Sequence, residues 1–156
     1  MNIAIASHQR TRRINLRLLK IIARELLAEL ELEKAEIGIC FVAAPEMTRL
    51  NETFLKHKGS TDVIAFDYGD ISNLGGQRFV AAPKLRALTK QCPPGIHGEI
   101  FICVDEAILQ ARKFGTSWQS EVVRYIIHGV LHLAGFDDHH PKDTARMRSM
   151  EEKILK

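Results

Sequence analysis

Residues 126–140, Ile-Ile-His-Gly-Val-Leu-His-Leu-Ala-Gly-Phe-Asp-Asp-His-His, hold four of the chain's seven histidines and two aspartates. His128 and His132 are four positions apart, so on a helix they leave one face about 6 Å apart along the axis. Gly135 is the predicted end of that helix, a left-handed glycine that turns the chain back. Beyond the turn, Asp137, Asp138, His139 and His140 are all candidates for a third ligand aimed at the point the two histidines share. A histidine pair among Ile126, Ile127, Val130, Leu131 and Leu133 also resembles hydrogen-bonded core residues. The glycine turn and the acid and histidine cluster after it tip the reading towards a metal site. Two helical histidines plus one further ligand make an open three-ligand site, which leaves a position for water and reads as catalytic.

The apolar run Val122, Val123, Ile126, Ile127, Val130 and Leu131 predicts a largely buried helix, with Ser117 as its N-cap and Glu121 favouring its first turn. The rest of the chain must therefore pack around the histidines. Residues 2–9 predict an opening strand, and residues 14–32 a helix whose apolar face carries Leu16, Leu19, Ile22, Leu26 and Leu30. Arg17, Lys20 and Arg24 recur on another face as a basic stripe, a solvated surface and also a candidate phosphate-contacting patch. Residues 35–43 predict a buried strand, and Pro45 opens a helix with Met47, Leu50 and Phe54 turned inward. A basic turn, Lys56-His57-Lys58-Gly59-Ser60, leads into a strand over residues 61–66. Residues 68–97 give mixed signals, with a short helix expected over 83–90. Residues 98–104 predict a strand, Asp105 the cap of the helix that follows, Gly115 that helix's end, and Pro141 a last helix with Met147, Met150 and Ile154 on one side. The expected architecture is one α+β domain over residues 1–156, a mixed sheet packed against helices with the histidine helix central; α/β is the neighbouring class.

Composition agrees. At 156 residues, 46% hydrophobic and 26% charged, the chain suits a single globular core. The short apolar start runs straight into three arginines, so neither a signal peptide nor a membrane span is expected. Cys40, Cys92 and Cys103 form no Cys-x-x-Cys pair and fit reduced thiols, with Cys40 and Cys103 as core residues; the expected location is the cytoplasm. A net charge of +3 permits nucleic-acid binding without requiring it.

An ion held by neutral imidazoles and a carboxylate or third imidazole suits zinc, and the reaction class is hydrolysis of a polarised carbonyl or phosphoryl centre. A zinc protease carries Glu after the first histidine as general base, and here that place is Gly129, so the peptidase reading loses its proton acceptor. Lys56, His57, Lys58 and Asp62 are the candidates for transition-state work, with an exposed basic loop as their bland reading; Cys92 and His97 are weaker candidates for extra ligands. The general base is unassigned.

These motifs resemble a family. Residues 128–137, His-Gly-Val-Leu-His-Leu-Ala-Gly-Phe-Asp, are similar to the signature of the YbeY endoribonucleases, bacterial ribosomal-RNA maturation factors, written His-Gly-x-Leu-His-Leu-x-Gly-Tyr-Asp-His. Ser60-Thr61-Asp62-Val63-Ile64-Ala65-Phe66, preceded by Leu50-Asn51, looks like the family's Pro/Ser-Thr-Asp-Val-Leu-Ser-Phe strand. Gly98-Glu99-Ile100 resembles its Gly-Asp-Ile strand, followed in order by Gln110-Ala111 and Gly115-Thr116-Ser117. The resemblance runs from about Leu50 to the C-terminus. It implies a mixed sheet backed by helices and a zinc-dependent endoribonuclease acting on single-stranded RNA. It also implies a role in 3′-end maturation of small-subunit ribosomal RNA and in ribosome quality control, with ribosomal RNA and ribosomal proteins as partners and no membrane.

Two positions depart from the pattern. The family's third histidine ligand lies six residues after the second, where this chain has Asp138, with His139 one later. A carboxylate is a competent zinc ligand, so the expected set is His128, His132 and Asp138, with His139 as the alternative to Asp138. The family also often places Arg four residues after the asparagine equivalent to Asn51, and that position is Leu55. Its absence is the best argument for a non-enzymatic ribosome assembly factor with a structural zinc; a zinc hydrolase of another substrate is the further alternative.

Overall fold

The computed structural model describes residues 1–32, 34–68 and 95–155. Within them the elements are β1 (Asn2–Ser7), α1 (Leu16–Glu29), β2 (Ala35–Val42), α2 (Ala44–Leu50), a π-turn (Asn51–Leu55), β3 (Val63–Asp67), β4 (Ile96–Cys103), α3 (Val104–Phe114), α4 (Trp118–Leu133) and α5 (Pro141–Ile154). The strands form one mixed sheet in the order β1-β2-β4-β3. β1, β2 and β4 run parallel, while β3 pairs antiparallel with β4, Ala65 opposite Ile100. The expected α+β architecture is therefore found. The expected helix at 83–90 and the ligand candidate Cys92 lie outside the described residues.

Alternation along the strands makes two layers. Ile37, Ile39 and Phe41 of β2 and Ile96, Ile100 and Ile102 of β4 face the helices and join Leu19, Ala23, Leu26 and Leu27 of α1 and Val122, Ile126, Val130 and Leu133 of α4 in one core. Each fully buried Ile, Leu, Val or Phe among them contributes about 1.5–3 kcal/mol relative to exposure. The opposite face carries a smaller cluster of Val42, Met47, Ile64 and Cys103 beneath α2. α4 lies unusually close to β4. A Cβ on Gly129 would meet Ile100 Cγ2 at 2.6 Å, and one on Gly98 would meet the Phe66 carbonyl at 2.3 Å and Leu133 Cδ2 at 2.7 Å. The residue after the first histidine thus points at the sheet, where no general base fits.

Several expectations are corrected. α1 starts only at Leu16, because the Asn15 side chain accepts from Leu18 N–H and caps it. It ends before its apolar periodicity does, because Glu31 adopts φ 55° and the amides of Glu31 and Leu32 bond back to Ala28 and Leu27. Asp105 does not cap α3, whose N-cap is Cys103; its carboxylate accepts instead from Ala44 N–H at 2.7 Å and Thr11 Oγ1–H at 3.2 Å, tying three connections together. Phe54 is 39% exposed rather than inward, because the helix loosens into the π-turn at Asn51; its ring meets Phe66 edge-on at 5.5 Å. Cys103 is buried, whereas Cys40 is only partly so. No helix among the described residues is long and apolar enough to cross a membrane.

Candidate metal centre

α4 carries the histidines because its start and stop are well specified. Ser117 Oγ accepts from Ser120 N–H at 3.1 Å, and Thr116 Oγ1 donates to the buried Glu121 carboxylate at 2.7 Å. At the other end Gly135, at φ 95°, reverses the chain: its amide bonds to His132 O and that of Phe136 to Leu131 O, the paired pattern of a glycine-terminated helix. The returning loop is folded by its own polar groups. Asp137 Oδ1 accepts from the amides of Asp138 and His139 at 2.7 and 3.1 Å, and Thr144 Oγ1 donates to Asp138 O at 2.8 Å.

This brings three side chains together. His128 Nε2 and His132 Nε2 are 3.0 Å apart, and Asp138 Oδ2 is 3.8 Å from the first and 3.9 Å from the second. A point equidistant from three atoms so spaced lies about 2.1 Å from each, which is the zinc–nitrogen and zinc–oxygen distance. The donor set and its spacing therefore fit one metal ion. His139 is not in this group. It is largely exposed, its Nε2 is 3.6 Å from Asp137 Oδ1, and it forms with Asp137 and Asp138 a second, more exposed set. His140 serves as the N-cap residue of α5.

The other ring nitrogens are fixed by the protein. His132 Nδ1 lies 3.2 Å from Phe136 O and donates to it, leaving the Nε2 lone pair available to an ion. His128 Nδ1 lies 2.6 Å from Glu151 Oε1 on α5. Carboxylate partners of this kind set tautomer and ring orientation in metal-binding histidines. Glu151 is not among the residues the sequence motifs single out, although it carries a signal: it lies four residues after Met147 and three before Ile154, an acid on the apolar face of α5.

Electrostatics separate the two rings. Burial pushes the His128 imidazole down, but the Glu151 hydrogen bond and charge, with the charges of Asp62 and Asp138, hold it above the ordinary histidine value. His132 is held below it by burial and by the neighbouring His128, against the opposing pull of Asp138. Asp62 thus reaches the group through its field; its Oδ1 accepts from Val63 N–H at 2.9 Å and Thr61 Oγ1–H at 3.1 Å.

The remaining candidates stand apart. Lys56, His57 and Lys58 are exposed, on a loop held by Asn51 Nδ2 donating to Gly59 O at 2.9 Å, and among the described residues none bonds to the histidine group. Lys56 sits at φ 59°, in the left-handed conformation that ends the π-turn. His97 lies on the face of β4 opposite α4, its ring 5.4 Å from that of Tyr68, so it is no ligand of this group.

Comparison with known proteins follows the same lines. The sequence profile of the family described as Endoribonuclease YbeY matches residues 4–156. An Endoribonuclease YbeY of Myxococcus xanthus is 36% identical over 139 residues, 89% of this chain but 42% of that protein, so the chain spans less than half of that relative's length. One of Chlorobium luteolum is 34% identical over 120 residues, 77% of this chain and 72% of the other. One of Chloroflexus aurantiacus is 37% identical over 135 residues, covering 85% and 79%. Among solved structures, the solution structure of TM1509 from Thermotoga maritima superposes with a TM-score of 0.63 at 23% identity, over 98% of this chain and 86% of that one, a likeness of fold.

Proposed function

This chain belongs to the YbeY endoribonuclease family, and from that premise we propose that it is a metal-dependent endoribonuclease acting on single-stranded RNA, with His128, His132 and Asp138 as the metal ligands. The convergence of two imidazole nitrogens and one carboxylate oxygen at mutual distances of 3.0–3.9 Å carries this reading. Zinc is the proposed ion, since two imidazoles and a carboxylate are a donor set it favours and three protein ligands leave a position open. When bound, the ion supplies Lewis-acid activation of water and of a phosphoryl oxygen. The chain's own groups do the rest. Glu151 and the Phe136 carbonyl fix the rings, and Asp138 offsets part of the cationic charge. Asp62, in electrostatic reach of His128, is the proposed proton acceptor. Lys56, beside Leu55 and held at the end of the π-turn, is the proposed cation facing the phosphate.

The proposed biological role is 3′-end maturation of small-subunit ribosomal RNA and ribosome quality control in the cytoplasm, by a single-domain enzyme with ribosomal RNA and ribosomal proteins as partners. Leu55, in place of the arginine the family often carries, supports one second reading, an assembly factor that binds RNA without cutting it. Wild type and the His128→Ala, Asp138→Ala and His139→Ala variants separate these, with bound metal measured beside cleavage of a single-stranded RNA. The proposal expects His128→Ala and Asp138→Ala to lose both metal and cleavage while His139→Ala keeps both. Equal cleavage by metal-free His128→Ala protein would overturn the mechanism. Retention of metal by Asp138→Ala with its loss from His139→Ala would reassign the third ligand, and a metal-loaded wild type that binds RNA without cutting it would favour the assembly factor.

A further inference from the structure

The first 24 residues contain Arg10, Arg12, Arg13, Arg17, Lys20 and Arg24 and no Asp or Glu, so the net charge of +3 originates there and the remainder carries more acids than bases. The five arginines are exposed, and among the described residues none of these six cations makes an ion pair.

The loop that bears the first three is fixed in place. Gln9, only 8% exposed, donates through Nε2 to Ser7 Oγ at 3.0 Å and to Arg12 O at 2.8 Å, and its Oε1 accepts from Arg12 N–H at 3.0 Å. On one side His8 N–H bonds to Phe41 O at 2.8 Å; on the other Thr11 bonds to Asp105. Both oxygens of Asp105 are engaged, by Thr11 and by Ala44, so this acid is occupied in holding the loop. A cationic loop ordered before binding loses less entropy when it meets a ligand.

Its position gives it a role. The loop follows the carboxyl end of β1, beside the carboxyl ends of β2 and β4, the edge where open α/β sheets receive ligands. Asp62, whose field reaches His128, lies at that edge too: its carbonyl accepts from Cys103 N–H at 2.8 Å, two residues before Asp105. Asp62 and the arginine loop thus share one end of the sheet. Five of the six cations are Arg, whose planar fork matches phosphate oxygens in pairs, whereas Lys offers a point charge.

Resting on the ribonuclease reading, we infer that residues 8–13, with Arg17 at the start of α1, form an RNA-backbone anchor separate from the metal group. It grips phosphates of the same strand several nucleotides from the bond to be cut. It is sequence-independent, adds affinity for long substrates and leaves the chemistry to α4 and α5.

The test is the triple variant Arg10→Gln/Arg12→Gln/Arg13→Gln, compared with wild type as metal-loaded protein on a single-stranded 20-mer and a tetranucleotide, with 20-mer affinity followed against salt. Binding of the 20-mer should weaken about tenfold or more at low salt, and the slope of log affinity against log salt should shrink by about 2, the share of three phosphate contacts. The wild type's preference in kcat/KM for the 20-mer over the tetranucleotide should collapse towards one. An unchanged salt slope and length preference would overturn the anchor while leaving the ribonuclease reading intact. Equal loss on both substrates would place these arginines at the cleaving site and overturn it too. Binding of wild type to anionic vesicles, lost in the variant, with no effect on RNA would reassign the surface to a membrane. A wild type that neither binds nor cuts RNA removes both readings together.

Discussion

Replacing Glu151 by glutamine keeps the shape of the His128 contact and removes its charge; replacing it by alanine removes the contact altogether. The hydrogen bond is 2.6 Å long, between side chains that are 13% and 24% exposed. In that poorly hydrated setting a charge-assisted bond contributes about 1.5–3 kcal/mol, roughly twice a neutral one. Without it the His128 ring can rotate and present Nδ1 instead of Nε2. Partners of this kind change metal affinity by about 10–100-fold, or about 1.4–2.7 kcal/mol. Glu151→Gln should fall at the lower end and Glu151→Ala at the upper, each measured by competition with a chromophoric chelator at fixed pH. A second signature appears in the metal-free protein. Because Glu151 holds His128 above its ordinary value, the stability from the pair is fully present below about pH 6.5 and is lost as the pH rises through the folded value. The difference in urea stability between wild type and Glu151→Gln should therefore be larger at pH 5.5 than at pH 9. Dissociation constants within twofold of wild type for both variants would refute the positioning role.

In metal-free protein, NMR titration of the ring protons should show His132 losing its proton below the ordinary histidine range and His128 above it, since burial and the neighbouring ring depress the first and Glu151 sustains the second; the reverse order would contradict the assignment. Gly98→Ala should cost about 3 kcal/mol in urea unfolding, because its Cβ would stand 2.3 Å from the Phe66 carbonyl oxygen of β3 and 2.7 Å from Leu133 Cδ2 of α4; a loss below 1 kcal/mol would mean β3 and α4 do not close over Gly98 as described. Glu31→Gly should stabilise the chain by about 0.5–1 kcal/mol, since φ 55° is strained for glutamate and free for glycine; an unchanged midpoint would argue against the left-handed end of α1.

The elements were legible where burial imposes a period. Alternation marked β2 and β4, and the apolar face of α4 with Ser117 before it and Gly135 after it marked that helix almost to the residue. Ends set by a side chain acting against type were not legible. Glu31 takes a conformation expected of glycine, and Asp105, placed where a cap would sit, bonds to the chain's other connections. The site divided in the same way. His128 and His132 are readable from spacing alone, because both lie on one helix. Asp138 is preferred to His139 already by its position six residues after His132, and the folding of the loop by Asp137 and Thr144 adds a physical reason for its carboxylate to approach the two rings. Glu151 is 23 residues from its partner, so a contact between α5 and α4 becomes evident only when the two helices pack.

Anomalous diffraction at the zinc absorption edge, from zinc-loaded crystals, would locate the one ion assigned to His128, His132 and Asp138. A single strong peak about 2.0–2.2 Å from Nε2 of both histidines and from a carboxylate oxygen of Asp138 is expected. A peak at the outer set of Asp137, Asp138 and His139, or none near the two histidine nitrogens, would contradict it.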